Sequence, residues 1–427
     1  MEKRIYDAYI KILKSELVPA LGCTEPIAIA YAAAKVREIL GEMPTGLEIF
    51  CSGNIIKNVK GVVVPKADGM KGIDVAATLG AIGGNPNSEL AVLESITEDD
   101  VIKMKELVAQ KFCKCDLIED VPNLYILIKA KSIRHTAEVE VQERHTNITK
   151  VLMDGKVLFE NPLTVTKETG ILREESSLSV KDIIEFSNTV AIEDVKEVLD
   201  QQIECNTAIS KEGLKNNYGA SVGKTLLASY PDDVKVRAKA AAAAGSDARM
   251  NGCSMPVIIN SGSGNQGITV SLPVIEYAKE LKLSKEELYR ALLVSNLIAI
   301  HQKYYIGDLS AYCGVVCAAT GSGAAITYMK HGTYQQISDT ITNTIVNIGG
   351  MVCDGAKASC AAKIASAIEA AILGHCMSMD NKVFQKGEGL VQEDVEKTIQ
   401  SIGKVGKEGM RETDLKILHI MLGNETV

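Results

Sequence analysis

Apolar residues in the first forty positions recur at helical spacing. Those before Leu17 lie three or four residues apart, which predicts an amphipathic helix that Pro19 ends. A second, Ala-rich helix is predicted to begin near Pro26, because proline suits a first helical turn, and to run to Gly41. The residues between the two helices form a short connection that contains Gly22 and Cys23.

The pattern becomes mixed between about residues 47 and 161. Short apolar runs predict strands at 47–51 and 62–64, and helical spacing predicts helices at 73–80 and 98–112. Apolar and polar residues alternate from Ile133 to Gln142, as in a strand with one solvated face. Asp154-Gly155 between two apolar runs predicts a β-hairpin. Together these signals indicate an α+β subdomain with an antiparallel sheet.

Strand alternation nearly vanishes after about residue 177, and helical spacing takes over. Residues 192–203 carry a helical apolar stripe, and Ser284 with Glu287 forms a capping box that opens a helix through Ile300. Two Ala-rich helices are predicted at 238–244 and 361–373. The predicted fold class is therefore α+β, with an N-terminal helical segment (1–45), the α+β subdomain (46–170) and a large, mainly helical domain (171–427).

Charge and composition exclude several classes of protein. The 427 residues include 46 basic and 54 acidic side chains and no Trp, so the chain lacks the basic surface and aromatic platforms that nucleic-acid binding requires. No apolar run approaches the roughly 18–20 residues that cross a membrane, and charged residues interrupt the opening segment, unlike a signal peptide. We expect a cytoplasmic protein without nucleic-acid or membrane partners, whose Ala- and Gly-rich helices suit a homodimer.

Two glycine-rich segments resemble nucleotide-binding motifs but lack the required context. Residues 262–267 match the spacing GxGxxG, yet Pro273 stands where the motif's helix should run and no alternation of strand and helix surrounds it. Residues 219–225 resemble a phosphate-binding loop but are one residue short between the glycines. The favoured interpretation is that residues 261–267 form a loop lining another kind of small-molecule site.

Eleven cysteines without an export signal indicate metal or catalytic chemistry more than a disulfide framework. Cys313, Cys353 and Cys360 lie in segments rich in small residues just before predicted helices, whose N-termini would stabilise thiolates. Three interpretations stay open from spacing alone: an iron–sulfur cluster with one iron free of protein ligands, a zinc site completed by His375 or His301, or buried structural cysteines. Cys317 is a rival ligand.

Cys23 stands apart from these late cysteines. It precedes the helix predicted to start near Pro26, and a helix N-terminus lowers the pKa of a nearby thiol. The sequence therefore predicts a thiolate that acts as a nucleophile or a proton-abstracting base. A buried cysteine at a turn between helices is the alternative.

Four segments together resemble the L-cysteine desulfidase family, which is related to the α portion of bacterial iron–sulfur L-serine dehydratases. They appear in order along nearly the whole chain: residues 19–26 (PALGCTEP), 261–267 (SGSGNQG), 309–314 (LSAYCG) and 351–360 (MVCDGAKASC). The resemblance implies a [4Fe–4S] cluster held by Cys313, Cys353 and Cys360, with Cys23 as the catalytic base. A second cysteine often follows the first cluster cysteine shortly in this family, whereas here Cys317 comes four residues later.

The resemblance also implies the reaction. L-Cysteine and water would give hydrogen sulfide, ammonia and pyruvate without pyridoxal phosphate. In this scheme Thr24 and Glu25 orient the substrate amino group. Lys303 and His301 either assist with protons or belong to a solvated helix face. The glycine-rich segment would position the substrate through Ser261, Gly262, Ser263, Gly264, Asn265 and Gln266.

Three alternatives remain beside this function. L-Serine dehydratase activity would use the same elimination with a different leaving group. A non-catalytic iron–sulfur redox sensor and a pyridoxal-phosphate lyase belong to other classes of protein.

Overall fold

The structure is a computed structural model that describes residues 1–161, 178–307 and 309–423. The boundary predicted between residues 170 and 171 lies outside the described residues, so the division into domains stays a prediction.

Helices and short strands alternate in the first part of the chain, and a run of strands follows them. These elements are α1 (Lys3–Glu16), β1 (Pro19–Leu21), α2 (Thr24–Leu40), β2 (Gly46–Cys51), α3 (Gly53–Lys60), α4 (Ile73–Gly83), α5 (Glu98–Ala109), β3 (Cys113–Leu117), β4 (Tyr125–Lys131), β5 (Thr136–Gln142), β6 (Ile148–Met153) and β7 (Lys156–Glu160).

The part from residue 178 onward is almost entirely helical. Its elements are α6 (Val180–Thr189), α7 (Lys196–Lys215), α8 (Val222–Ser229), α9 (Val234–Met250), β8 (Pro256–Ile258), α10 (Gly264–Glu280), α11 (Lys285–Ile306), α12 (Gly314–Met329), α13 (Tyr334–Ile348), α14 (Cys360–Met379), α15 (Val395–Lys404) and α16 (Arg411–Leu422). The predicted α+β class is confirmed.

The larger sheet has six strands in the order β3-β2-β4-β5-β6-β7. All neighbouring strands are antiparallel except β2 and β3, which are parallel, so the sheet is mixed rather than purely antiparallel. Helix α2 packs against β4, β5 and β6. The alternation along β5 follows from this packing, because Ala137, Val139 and Val141 are buried while the residues between them are not.

Local sequence signals explain several elements. Asp154 and Gly155 both have positive φ (50° and 76°), as a two-residue type I′ hairpin turn requires, and they join β6 to β7. The capping box that opens α11 is present, with Ser284 Oγ accepting the Glu287 N–H and the Glu287 carboxylate accepting the Ser284 N–H. The hairpin and the capping box are thus confirmed where the sequence placed them.

Three predictions about secondary structure are wrong. Residues 62–64 form no strand, since Val63 makes only a single bridge to Lys71. Strand β5 begins at Thr136, and Ile133 is 90% exposed in the turn before it. Helix α10 begins at Gly264 and continues through Pro273, so that proline does not prevent a helix after the glycine-rich segment.

The helical part has a core of close-packed, small-residue helices. Helix α14 packs against α9, α12 and α13. By length and composition α14 is also the one described helix apolar enough to cross a membrane, and half of that window is buried inside the fold. The expectation that no apolar run approaches the length of a membrane-crossing helix is therefore wrong for α14.

Candidate active site

A two-stranded sheet brings the opening motif to the glycine-rich segment. Strand β1 pairs antiparallel with β8, with Pro19 opposite Ile258 and Leu21 opposite Pro256. The first strand leads directly to Cys23 at the start of α2, and the second leads to the loop before α10. A dinucleotide site requires a parallel βαβ unit, and this pairing is antiparallel. Residues 262–267 are therefore not a dinucleotide-binding motif. The reason is the strand arrangement and not the position of Pro273.

Cys23 is buried, with 2% of its surface exposed, and it is the N-cap residue of α2. Its Sγ lies 2.9 Å from Oε2 of Glu25, and the other carboxylate oxygen accepts a hydrogen bond from Asn58 Nδ2 at 2.9 Å. Thr24 Oγ1 is within hydrogen-bond distance of both Glu25 Oε2 (3.1 Å) and the Gly262 carbonyl oxygen (3.0 Å). The predicted base and the predicted substrate-positioning residues therefore contact one another.

The expectation of a Cys23 thiolate stabilised by the helix N-terminus is wrong for this arrangement. Burial and the negative charge of Glu25 raise the pKa of the Cys23 thiol well above its usual value, and Arg249 offsets only part of that rise. Burial acts to raise the pKa of Glu25 as well, but His145, the hydrogen bond from Cys23 and Arg249 outweigh it, so that pKa is lowered. Cys23 is thus a protonated thiol that donates to a carboxylate.

Backbone hydrogen bonds place Cys313 and Cys353 side by side. The Cys313 N–H donates to the Met351 carbonyl oxygen at 3.0 Å, and the Cys353 N–H donates to that of Ala311 at 2.6 Å. Cys313 is the N-cap residue of α12, and Cys360 is the first residue of α14. Two of the three predicted cluster ligands therefore lie in paired segments. Cys313 and Cys360 stand at helix N-termini, whereas Cys353 lies seven residues before α14, which corrects the expectation that all three directly precede helices.

The side chains of these three cysteines interact. The Cys313 thiol donates a hydrogen bond to Cys353, and this bond, with the positive charges of Lys57 and Lys363, lowers the pKa of Cys353 even though burial opposes the shift. Cys360 is close enough to exert an electrostatic effect on Cys313 and to feel that of Cys353. The pKa of Cys353 is lowered while those of Cys313 and Cys360 are raised, so Cys353 is the first of the three expected to lose its proton.

Buried Lys57 contacts the loop that contains Cys353. Its ammonium group pairs with Asp414 on α16 and lies 3.4 Å from the Cys353 carbonyl oxygen. Gly355 has a φ of +93° and would bring a Cβ atom within 2.3 Å of the Lys57 carbonyl oxygen, so only glycine allows α3 to approach the loop so closely. Lys57 therefore supplies both packing and positive charge beside a predicted ligand.

Cys23 and Cys360 belong to the same small cluster of side chains. Cys23, Val62 and Met250 form a buried apolar group, against which Ala356 and Cys360 pack. The early thiol and the late cysteines consequently face one region of the molecule.

The glycine-rich segment is part loop and part helix. Ser261, Gly262 and Ser263 precede α10, whereas Gly264, Asn265 and Gln266 form its first turn, which corrects the expectation of a loop through residue 267. A Cβ atom on Gly314, the neighbour of Cys313, would lie 2.7 Å from Gln266 Cδ. The segment therefore contacts the start of α12 through Gln266.

Several buried polar atoms around these residues have no hydrogen-bond partner within the described parts of the chain. They are Arg249 Nε, Asn265 Oδ1, Gln266 Oε1 and Tyr312 Oη. An unsatisfied buried polar atom costs about 1–3 kcal/mol. Their concentration around Cys23 and Cys313 indicates a site built to bind a polar or ionic group.

The arrangement does not suit a single metal ion. Across residues 1–161, 178–307 and 309–423, no set of three or more His, Cys, Asp or Glu side chains is placed to hold one ion. His301 bonds Glu396 and His375 bonds Thr327, so neither zinc arrangement with a histidine finds support among the described residues. In a cluster each thiolate binds a different iron, so cluster ligands lie farther apart than the ligands of one ion and the three cysteines remain compatible with it.

Other candidate residues show no interaction with the three cysteine thiols in the described parts of the chain, although Cys317 shares Tyr312 with Cys313 as a neighbour. Cys317 is inside α12, where burial raises the pKa of its thiol to about 12 and the nearby charge is that of Lys303 rather than of another cysteine. Lys303 Nζ donates to the Gly307 carbonyl oxygen at 2.5 Å. Cys113 lies on β3 and contacts Thr78.

Sequence analysis missed Arg249, Asn58, Lys57 and Met250. Arg249 is only 2% exposed, and its position at the end of an Ala-rich helix was an available signal, because a charged residue in an apolar segment usually has a specific partner. Asn58 and Lys57 gave no such signal, because their contacts connect α3 to distant parts of the chain.

Comparison with known proteins points to an enzyme of the lyase type. The model of the family described as "Serine dehydratase alpha chain" matches residues 87–419. A UPF0597 protein of Lachnoclostridium phytofermentans is 54% identical over 418 residues, covering 98% of this chain and 100% of that protein. One from Desulfitobacterium hafniense is 50% identical over 423 residues, covering 99% and 98%.

The chain therefore belongs to the serine dehydratase alpha chain family. Its membership points to a serine dehydratase-like lyase. Enzymes of that family depend on an iron–sulfur centre. A UPF0597 protein of Treponema denticola is similarly 48% identical over 427 residues, covering 99% of both chains.

Proposed function

We propose that this protein is a [4Fe–4S]-dependent lyase that converts L-cysteine and water to hydrogen sulfide, ammonia and pyruvate without pyridoxal phosphate. The observation that carries the proposal is the placement of the Cys23–Glu25 pair in one cluster of side chains with Cys360, beside unpaired polar atoms of Arg249 and α10. We assign the reaction to the cytoplasm, where thiols stay reduced.

Cys313, Cys353 and Cys360 would hold the cluster. Their support comes from the mutual interaction of the three thiols and from the positive charge of Lys57 and Lys363 beside Cys353, which suits an anionic centre. When bound through three cysteines, such a cluster supplies one iron without a protein ligand, which acts as a Lewis acid.

Cys23 is the proposed base that removes the Cα proton. A thiol must lose its own proton first, and Glu25 Oε2, at 2.9 Å, is the acceptor in hydrogen-bond contact. Because the pKa of Cys23 is raised and that of Glu25 is lowered, the transfer is unfavourable in this arrangement, and the proposal requires bound substrate and cluster to reverse that order. Because Glu25 is bonded by Cys23 and Asn58, we assign it to activation of Cys23 and give Thr24 the task of tying α2 to the Gly262 loop.

The unpaired polar atoms match the two charged groups of an amino acid. Arg249 Nε and the N–H groups of the first turn of α10, which have no partner within the helix, are donors that suit the substrate carboxylate. Asn265 Oδ1 and Gln266 Oε1 are acceptors, which suit the ammonium group. The backbone that leads to Asn265 and Gln266 is formed by Ser261, Gly262, Ser263 and Gly264.

Elimination then follows from the residues in place. As Cys23 takes the Cα proton, the electron pair forms a Cα–Cβ double bond and the β-substituent leaves with its electrons. The product, aminoacrylate, is hydrolysed by water to pyruvate and ammonia, and hydrosulfide takes up a proton to become hydrogen sulfide.

The apolar surroundings favour a thiol as the leaving group. Val62, Met250 and Ala356 line the cluster that contains Cys23. A hydroxyl loses hydrogen bonds with water when it enters such surroundings, whereas a thiol is a weak hydrogen-bonding group and loses less. L-Serine is the second candidate substrate, favoured by the family match to serine dehydratase alpha chains.

The deciding experiment compares the two substrates with protein purified without oxygen and reconstituted with iron and sulfide. We expect equal amounts of sulfide and pyruvate from L-cysteine, with a higher kcat/KM than for L-serine. Cys23→Ala should abolish product formation and retain iron. A preference for L-serine would overturn the choice of substrate and leave the elimination in place.

Two outcomes would overturn the proposal as a whole. If the reconstituted protein binds a cluster but releases no pyruvate from either amino acid, it is a non-catalytic iron–sulfur protein such as a redox sensor. If activity survives chelation and air but is lost with hydroxylamine, it is a pyridoxal-phosphate enzyme.

A further inference from the structure

A chain of buried side-chain amides connects the helical core to the glycine-rich segment. Gln202 on α7, Asn296 on α11 and Asn260, which directly precedes the segment, are all fully buried. Gln202 Nε2 donates to Asn296 Oδ1 at 3.0 Å, and Asn296 Nδ2 donates to Gln202 Oε1 at 2.8 Å. Asn260 Nδ2 donates to the same Asn296 Oδ1 at 3.0 Å. Two helices are thus tied to the residue at which the segment begins.

Asn296 uses its whole hydrogen-bonding capacity in this arrangement. Its Oδ1 accepts from both other amides, and its Nδ2 donates to Gln202 and to the Leu292 carbonyl oxygen, the latter at 2.8 Å. Both donors and both lone pairs of the amide are therefore used. A buried amide whose groups are all paired favours one arrangement, because any other leaves a costly unpaired group. Asn296 consequently defines the position of Asn260.

The hydrogen bonds continue from Asn260 into the glycine-rich segment. Ser261 Oγ donates to Asn260 Oδ1 at 2.9 Å, and Gln266 Nε2 donates to the Ser261 carbonyl oxygen at 3.4 Å. The backbone N–H groups of Asn260 and Ser263 each donate to the carbonyl oxygen of the other, at 3.2 and 3.1 Å. Gln266, whose Oε1 has no partner within the described parts of the chain, is thereby connected to Asn296.

The backbone turn at Ser261 depends on such support. Ser261 has a φ of +47°, which is uncommon for a residue other than glycine. Strained backbone persists only where the surrounding structure holds it, and it concentrates at functional sites. The next residue, Gly262, has a φ of +73°, and its carbonyl oxygen accepts the hydrogen bond from Thr24 Oγ1 at 3.0 Å. The amide network therefore bears on the contact between the segment and the start of α2.

A second buried amide acts on the two ends of the segment. Asn206 on α7 accepts the Ile258 N–H at 2.9 Å and donates to the Gly267 carbonyl oxygen at 3.1 Å. These bonds do not involve Asn296 or Asn260. Loss of the Asn296–Asn260 link should consequently loosen the turn between the two ends and leave the ends in place.

We propose that Asn296, acting through Asn260, is a positioning residue that orients the turn at Ser261 and Gly262 and the side chain of Gln266 for substrate binding. The inference rests on the proposed function, in which Gln266 takes the substrate ammonium group. It adds residues of α7 and α11 that act on the substrate only through the glycine-rich segment.

The kinetic test uses the full-length protein reconstituted without oxygen. Asn296→Leu should raise KM for L-cysteine about tenfold, the size of one lost buried hydrogen bond, with iron retained. We expect kcat to stay within about twofold, because the segment binds the substrate equally before and during the reaction. Asn260→Ala breaks the link to the segment and keeps the Gln202–Asn296 pair, so it should show the same rise even if Asn296→Leu does not fold.

The matched control is Ser295→Ala. Ser295 is the buried neighbour of Asn296 on α11, and its Oγ donates to the Val270 carbonyl oxygen at 2.6 Å, away from the segment. This variant loses a buried hydrogen bond of the same helix and should leave both KM and kcat unchanged. A rise in KM equal to that of Asn296→Leu would show that general loosening of α11 is responsible, and would overturn the positioning role.

Hydrogen exchange followed by mass spectrometry gives a readout that needs no turnover. Peptides within residues 259–266 should exchange about tenfold faster in Asn296→Leu and Asn260→Ala, whereas peptides of the six-stranded sheet should exchange as in the wild type. Unchanged exchange in the segment, or a fall in kcat at unchanged KM, would overturn the proposal. A wild-type protein that binds iron but releases no pyruvate would instead refute the proposed function, and exchange would still decide whether the network holds the segment.

Discussion

The thiol of Cys23 and the carboxylate of Glu25 form a hydrogen-bonded pair at the start of α2, with Sγ 2.9 Å from Oε2. Because the thiol is buried beside a negative charge, its pKa is raised and it keeps its proton in this arrangement. The helix N-terminus alone does not create a thiolate here. Reactivity at Cys23 therefore depends on its neighbour.

Glu25→Gln is expected to lower kcat about 100-fold or more, which is within the contribution of a positioned proton acceptor. The amide keeps the size of the side chain but can no longer take the proton of Cys23. Pyruvate release measures the effect, and iron content should stay at the wild-type level. The control is Glu38→Gln on the same helix, an exposed carboxylate that pairs with Lys35. Equal activity in both variants would contradict the role of Glu25.

The cysteine assignments predict which variants lose iron. Cys313→Ser, Cys353→Ser and Cys360→Ser should each lose most of it, because a serine hydroxyl is a poor ligand for iron in a cluster. Cys113→Ser and Cys115→Ser on β3 serve as controls and should retain it. Iron and acid-labile sulfide are measured after purification without oxygen. Similar iron content in all five variants would show that the cluster is held elsewhere.

Gly314→Ala should weaken substrate binding. The new methyl group would lie 2.7 Å from Gln266 Cδ and would push away the side chain that we assign to the substrate ammonium group. We expect KM to rise about tenfold, which corresponds to about 1.4 kcal/mol, with iron retained. Gly350→Ala, where nothing lies within 4 Å of an added Cβ atom, is the control. A fall in kcat with unchanged KM would contradict this role.

Asp247 predicts a dependence of stability on pH. It is fully buried, its Oδ2 accepts the Gly223 N–H at 3.0 Å, and burial raises its pKa from 3.8 to about 6 although the N–H groups of Gly223 and Val222 oppose the shift. A carboxyl whose pKa is raised by folding favours the folded state below the unfolded pKa. That contribution is lost as pH rises through about 6.

Asp247→Asn should therefore raise Tm by a few degrees at pH 8 and by less at pH 5, as a change of about 1 kcal/mol would do. The exposed Asp380→Asn serves as the control and should show no such difference between the two pH values. Thermal unfolding followed by circular dichroism measures both. A variant less stable than the wild type at pH 8 would show that the charged carboxylate is needed to hold α8.

Local signals made much of the fold predictable. The hairpin at Asp154-Gly155 and the capping box at Ser284 depend on residues within a few positions of one another, and both occur as predicted. The strand predicted at residues 62–64 failed because a short apolar run does not specify a pairing partner. Helix α10 was obscured by Pro273, since a proline inside a helix is rare but tolerated where packing compensates for the lost hydrogen bond.

The site was predictable in its residue types but not in its electrostatics. Family motifs predicted Cys23 and the three late cysteines as site residues, and their roles stay a prediction, although Cys23 and Cys360 do lie in one cluster of side chains. The pairing of β1 with β8 joins segments more than 230 residues apart and has no local signal. The pKa of Cys23 depends on burial and on the rotamer of Glu25, which only the folded structure defines. The effect of Arg249 on the pKa values of Cys23 and Glu25 likewise depends on where the fold places its side chain.

The ion pair between Lys57 and Asp414 joins positions 357 residues apart and lies against the Cys353 loop. During synthesis on the ribosome, Cys313, Cys353 and Cys360 all emerge before Asp414 does. The contact of this ion pair with the loop consequently forms only after residue 414 has been made. If the proposed cluster is inserted into the completed site, its insertion follows the synthesis of Asp414, and the donor of iron and sulfide meets a chain in which α3 and α16 already pack together.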